Sequence, residues 1–195
     1  MHIRNYKSED EIRWIRTRVL AFLDTAYYDS VYNSKEKYEN PAIELVSEEE
    51  GIITGILDLE LDTEERKVCK KNSVLSAMIW HVAVHPDYRR KGIAAKLLNE
   101  AERICKEKGI YRIEAWTRDD KWVRDWYLLQ GFIIADSYLH INFDHEELKG
   151  LFKTNTEGII PVHMFAHYTK SDKDKIRNSY KRVNECVMFE KNIVQ

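Results

Sequence analysis

The run Val82-Ala83-Val84-His85-Pro86-Asp87-Tyr88-Arg89-Arg90-Lys91-Gly92-Ile93-Ala94 constrains this chain more than any other stretch. Its apolar start reads as the end of a strand. The proline in His85-Pro86-Asp87 then stops the ladder, because it has no N–H to donate. Three cations and Gly92 follow, and Ala94, Leu97, Leu98, Ala101, Ile104 and Cys105 recur on one helical face. A strand therefore feeds a tight basic loop that opens into a helix over residues 89–108.

Such a loop presents successive main-chain N–H groups, and the helix start adds unpaired donors and the positive end of its dipole. Together they make a nest for a pyrophosphate. Gly92 lets a phosphate oxygen approach the main chain, since no Cβ blocks it. Ala94 is small enough to keep the helix start close, and Arg89, Arg90 and Lys91 surround the anion with charge. Neither G-x-x-x-x-G-K-S/T nor G-x-G-x-x-G occurs, so the anion site is of another design. The plain alternative is a basic loop that merely precedes a helix.

The rest of the chain supplies a sheet around this unit. Residues 2–6 read as a first strand, and Ser8 with Glu11 as a capping box. The helix behind that box should bury Ile12, Ile15, Val19 and Phe22. Residues 43–47 and 52–61 read as a hairpin turned at Glu49-Glu50-Gly51, and 74–84 as a long strand. A strand over 111–117, a short helix over 120–129 and a strand from Gly131-Phe132 towards Phe143 complete the pattern. The order β-α-β-β-β-α-β-α-β predicts an α/β (α+β) fold with a mixed, mostly antiparallel sheet flanked by helices. No Pro-, Gly- or Ser-rich linker divides the chain, so residues 1–195 are expected to form a single domain.

Bulk properties narrow the function classes. A net charge of −2 argues against a general nucleic-acid or membrane-surface binder. No apolar run approaches the length of a membrane span, and the first residues have no signal-like core. Cys69, Cys105 and Cys186 lie outside any C-x-x-C pattern and read as reduced thiols. The expected location is the cytoplasm.

The basic loop resembles the acetyl-CoA motif of the GNAT family of N-acetyltransferases. A second element, Trp126-Tyr127-Leu128-Leu129-Gln130-Gly131-Phe132, resembles that family's Y-x-x-x-G-F segment, in the right order and at the right distance from Gly92. The resemblance covers about residues 2–143 and the final strand, and Ala94 stands where a second glycine is commoner. It implies the GNAT fold and transfer of an acetyl group from acetyl-CoA to a primary amine of a small molecule or peptide. The transfer would be direct, in a ternary complex, without metal.

Carried over by position, the main chain of Val82, Ala83 and Val84 would pair with the pantetheine arm. Residues Arg89, Arg90, Lys91, Gly92, Ile93, Ala94 and Ala95 would bind the pyrophosphate. Asp120 would face the cofactor arm, and Tyr127 would return a proton to the leaving thiolate. A homodimer is common in this family. The other reading is a non-catalytic acyl-CoA-binding or sensing module.

The departure from the family pattern lies at the base. An alkylammonium with a pKa of about 10.4 must lose a proton before it attacks, which calls for a base or a water chain. Period-two alternation sets Met78 and Trp80 on the face of Val82 and Val84, and neither takes a proton. His81 is the candidate catalytic base, on the opposite face unless a bulge re-aims it. Asp58, Glu60 and Glu114 are further candidates, each also readable as a paired strand carboxylate.

Tyr27, Tyr28, Tyr32 and Tyr38 fall where the family places its variable acceptor-binding segment, and Trp80, Trp116, Trp122 and Trp126 are read as cleft or core. His140, His145, His163 and His167 lack metal-site spacing on a helix, so no metal is expected. Residues 183–193 resemble the family's closing strand, which makes 144–182 an insertion. That insertion is expected to hold a helical turn, a strand over 159–168 and a charged surface segment. It reads as a wall of the acceptor pocket, a dimerisation arm or a surface ornament.

Overall fold

Strands β2 (Ala42–Glu49) and β3 (Ile52–Leu61) meet in a two-residue hairpin. Glu50 and Gly51 both take positive φ there, 51° and 79°. That conformation matches the right-handed twist of the flanking strands, and glycine adopts it without strain. Around this hairpin the computed structural model, which describes residues 1–70, 74–152 and 154–193, builds one eight-stranded sheet. The remaining strands are β1 (His2–Asn5), β4 (Ser76–Val84), β5 (Arg112–Thr117), β6 (Ile133–Asp144), β7 (His163–Tyr168) and β8 (Val183–Asn192). Their spatial order is β1-β2-β3-β4-β5-β8-β6-β7, and every neighbouring pair is antiparallel except β4 with β5.

Helix α1 (Glu11–Phe22) covers one face of the sheet, but not with the expected stripe. Trp14, Thr17, Arg18 and Ala21 are buried, while Ile12 is 64% exposed. The rotation follows from polar partners on the sheet side: Thr17 donates to the Ile53 carbonyl, and Arg18 reaches Ser30 and His81. The helix start also differs from the expected Ser8/Glu11 box. Asp10 accepts from the Lys7 N–H and from Arg4 and Arg13, so a buried carboxylate closes that corner.

Helix α2 (Ile93–Glu107) and helix α3 (Lys121–Leu129) lie on the other face. They bury Leu97, Leu98, Ala101, Cys105 and Tyr127 against Leu57, Leu59, Ile113, Ala115 and Phe189. α2 begins at Ile93 rather than at residue 89, because Arg90 and Gly92 both adopt positive φ, 66° and 74°. Close packing of its first turn depends on Gly55 in β3, where a Cβ would stand 2.6 Å from Ile93 Cγ2.

Between β6 and β8 the chain forms α4 (His145–Leu148), β7 and α5 (Lys173–Ser179). β7 extends the sheet along β6, and Ile141, Phe143 and Leu148 pack there with Met164, Ile176 and Tyr180.

Candidate active site

The strands β4 and β5 run parallel for only four paired residues, Ser76–Ile79 against Arg112–Ala115. Beyond Ile79, β4 continues to Val84 paired only with β3, whereas Trp116 and Thr117 pair with β8. A wedge therefore opens in the middle of the sheet. One of its walls is the β4 main chain from Trp80 to Val84, which has no strand partner on that side among the described residues.

Val84 leads out of the wedge into the basic loop. The Asp87, Tyr88 and Arg89 N–H groups are bonded to His85 or Pro86, but those of residues 90–95 find no acceptor among the described residues. With Arg90 and Gly92 in the left-handed region, these N–H groups stand at the head of a fifteen-residue helix, at the positive end of its dipole. Ile93 is buried in the core beneath, and Ala94 and Ala95 are half-buried. Lys91 lies over the Tyr88 ring at 4.8 Å. Arg89 is placed differently from expectation. It donates to the Ala21 carbonyl and to Asp24, and so ties the loop to the C-terminal end of α1.

Tyr127 hangs from α3 beneath the wedge, in one cluster with Val82 and Val84. Its ring stacks on Phe189 at 4.9 Å and meets Phe132 edge-on at 5.2 Å. The hydroxyl makes no hydrogen bond to any described residue. Burial drives the phenol well above its usual pKa, so it stays protonated. Asp120, one residue before α3, accepts from the Ala26 N–H at 3.0 and 3.1 Å. Its carboxylate holds the loop after α1, and burial raises its pKa.

A bulge at Trp80 changes the alternation of β4. Asp58 pairs with His81 and Leu59 with Ile79, leaving Trp80 as the extra residue. Ala77 and Ile79 therefore share the α2 face with Val82 and Val84, in place of Met78 and Trp80. His81 stays on the α1 face. It is buried edge-on against Trp14, with Nδ1 3.4 Å from Arg18 Nε and Nε2 2.7 Å from Glu36. Asp58 is fully buried against Lys35 and Tyr38, and Glu60 accepts from the Asn40 N–H and the Trp80 indole.

Of the four loop tyrosines, Tyr27 and Tyr38 are packing residues. The Tyr27 hydroxyl accepts from the Arg118 N–H, and Tyr38 donates to Asp58. Tyr32 is half-buried beneath the Arg18 guanidinium, and Tyr28 is exposed under Arg182. Arg118 links this loop to β6 and β7, since it donates to the Ala26 carbonyl and its Nε donates to His140 at 3.1 Å, which stacks on His167 at 4.8 Å.

Burial and the Arg118 charge push the His140 imidazole down to about 4, with His167 adding to the effect and Asp119 opposing it. The folded state thus favours the neutral ring, so this contribution to stability is present above pH 6.5 and fades as pH falls towards 4. The loss should reach up to about 1.4 kcal/mol per pH unit, the limit for one proton. Urea unfolding of wild type and His140→Gln between pH 7 and 4.5 checks this. Parallel stability curves would dismiss the effect.

The family model for the Acetyltransferase (GNAT) family matches residues 10–132, and the chain belongs to that family. A relative from Prochlorococcus marinus, described as an uncharacterized N-acetyltransferase ycf52-like, is 35% identical over 66 residues. That match spans 34% of this chain and about a third (36%) of the relative.

Two solved structures share the fold. PaiA N-acetyltransferase from Thermoplasma acidophilum, in complex with coenzyme A, has TM-score 0.55 and 20% identity, covering 69% of this chain and 91% of that one. A GNAT-family acetyltransferase from Streptococcus pneumoniae has TM-score 0.59 and 13% identity, covering 98% and 99%. No described helix is long and apolar enough to cross a membrane.

Proposed function

We propose that this chain transfers the acetyl group of acetyl-CoA to a primary amine of a small molecule or peptide, by direct attack in a ternary complex. The observation that carries the reading is the wedge between β4 and β5, which leads straight to the acceptor-free N–H groups of residues 90–95. The main chain of Val82 to Val84 would hold the pantetheine arm, and the N–H groups from Arg90 to Ala95 would hold the pyrophosphate. The coenzyme A bound to the Thermoplasma acidophilum structure supports the choice of cofactor. When bound, that cofactor supplies the activated acetyl group.

Direct transfer is supported by the cysteines. All three are buried, and burial raises Cys105 to about 12 and Cys186 to about 11, so no thiolate nucleophile is on offer. Tyr127 is the proton donor to the leaving thiolate. His81 has both nitrogens engaged, so it is not a free base, and the ammonium proton passes to solvent water in the acceptor cleft before attack. We assign the cleft to the α1 face, between the loop of residues 24–41 and the β6–β7 hairpin.

The decisive experiment titrates acetyl-CoA by calorimetry and then screens amines by thiol release. Saturable binding with acetylated product is the expected result; absence of binding overturns the reading. Binding without transfer to any amine would favour a non-catalytic acyl-CoA sensor. That second reading draws on the α2 face of β4, where Ala77, Ile79, Val82 and Val84 offer no base.

Gly92→Val tests the nest. A Cβ there meets nothing within 4 Å, so the fold should survive, at about 1–2 kcal/mol for a left-handed non-glycine residue. The branched side chain would stand where a phosphate meets the main chain, and acetyl-CoA affinity should fall about tenfold or more, since 1.4 kcal/mol is tenfold. Unchanged affinity in a folded variant, read by calorimetry, removes the pyrophosphate assignment.

A further inference from the structure

Around His81 most carboxylates are held by a cation or a main-chain N–H, while Glu36 meets only the imidazole. Asp58 is committed to Lys35 and Tyr38, and Glu60 to a main-chain N–H and an indole. Glu36 lies on the loop between α1 and β2 with its side chain 39% exposed. Its hydrogen-bond partner is His81 Nε2 at 2.7 Å, and no lysine or arginine lies within ion-pair distance of it among the described residues.

The surroundings fix how these groups share protons. Arg18 Nε always carries a hydrogen and points at His81 Nδ1, so Nδ1 accepts and the ring hydrogen sits on Nε2, facing Glu36. The imidazole is a strut between a buried guanidinium and a half-exposed carboxylate. That hydrogen bond is the leading cause that holds the Glu36 carboxyl below its ordinary pKa, which keeps it charged. The backbone beside Glu36 is equally fixed. The Lys35 N–H donates to Glu11 at 2.9 Å, and the Lys35 ammonium is buried against Asp58.

We propose that Glu36 receives the ammonium group of the acceptor, with His81 as the positioning residue that holds its carboxylate. The assignment rests on the amine-acetyltransferase reading above. A carboxylate has about four lone-pair sites, and His81 uses one of them. The remaining sites match the three donors of an alkylammonium, in a charge-assisted pairing. Position agrees with chemistry. One imidazole separates Glu36 from β4, at the bulge where β4 leaves β5 and the wedge opens. Trp80, 47% exposed beside His81, offers an aromatic face to the alkyl part of the same ligand. The acceptor class is thus a primary amine that enters as a cation, rather than a neutral arylamine.

The test uses the full chain with n-butylamine, phenethylamine and 1,4-diaminobutane as cationic probes and aniline as the uncharged one. Glu36→Gln should raise KM for the cationic probes about 10- to 100-fold, the range for losing one charged hydrogen bond. The acetyl-CoA Kd, the melting temperature and the aniline KM should stay within error. His81→Gln should raise the same KM several-fold with kcat unchanged, a split that a purely structural imidazole would not produce. An unchanged cationic KM in Glu36→Gln overturns the assignment and leaves acetyl transfer standing. A wild type that binds acetyl-CoA yet acetylates none of the cationic probes overturns it as well. A wild type that binds no acetyl-CoA removes the underlying reading instead.

Discussion

Tyr127→Phe is expected to lower kcat about tenfold or more, while the Kd of acetyl-CoA barely moves, because a general acid typically contributes about 10²–10⁴-fold. The phenylalanine ring keeps the stack on Phe189 and the edge contact with Phe132, so packing beneath the wedge is preserved. Only the hydroxyl is lost, and it makes no hydrogen bond to any described residue whose breakage could unsettle the core. Burial raises its pKa, which keeps the donor loaded with its proton at neutral pH. A thiolate leaving from the wedge is the partner such a donor lacks in the free protein. Single-turnover kinetics with thiol detection separate the chemical step from product release. An unaltered chemical rate would return Tyr127 to the core as an ordinary packing residue.

How much of this was legible beforehand depended on whether the signal was local. The hairpin at Glu50-Gly51 and the strand–loop–helix unit around Gly92 are written in adjacent residues, because left-handed φ and helix periodicity have short sequence signatures. The bulge at Trp80 has none. It arises from the pairing of β4 with β3, and it moves every residue before it to the other face. The rotation of α1 has a similar origin. Arg18 and Thr17 are buried because Ser30, His81 and the Ile53 carbonyl await them, partners that lie 12 to 63 residues away. Glu36 escaped sequence reading for the same reason: a lone carboxylate in a polar loop gains meaning only from His81, 45 positions later. Asp120 and Arg89 show the converse. Their motif positions were legible, but the structure ties their side chains to the chain around α1.

Gly55→Val should destabilise the protein and weaken acetyl-CoA binding together, although residue 55 belongs to no recognised motif. A Cβ built there lies 2.6 Å from Ile93 Cγ2, 3.1 Å from Leu97 Cδ1 and 3.4 Å from the Ala83 carbonyl. Ile93 and Leu97 are buried and cannot swing into solvent, so the helix must shift or the strand must bend. Overpacking of this kind costs about 1–3 kcal/mol. For a chain of this size that corresponds to a fall of roughly 2–12 °C in Tm. The direction of the shift carries the functional consequence. Ile93 opens α2, the N–H groups of residues 93–95 lie on that first turn and those of 90–92 lead into it, so moving it outward should disturb the proposed pyrophosphate site. Gly51→Ala is the matched control. It too has positive φ, 79°, with nothing within 4 Å of a Cβ, but it sits at the β2–β3 turn. It should lose stability through strain alone and keep its affinity for acetyl-CoA. Thermal melts and calorimetry on both variants read the two effects separately. If Gly55→Val melts like the wild type, the close approach of β3 to α2 does not position the cofactor loop.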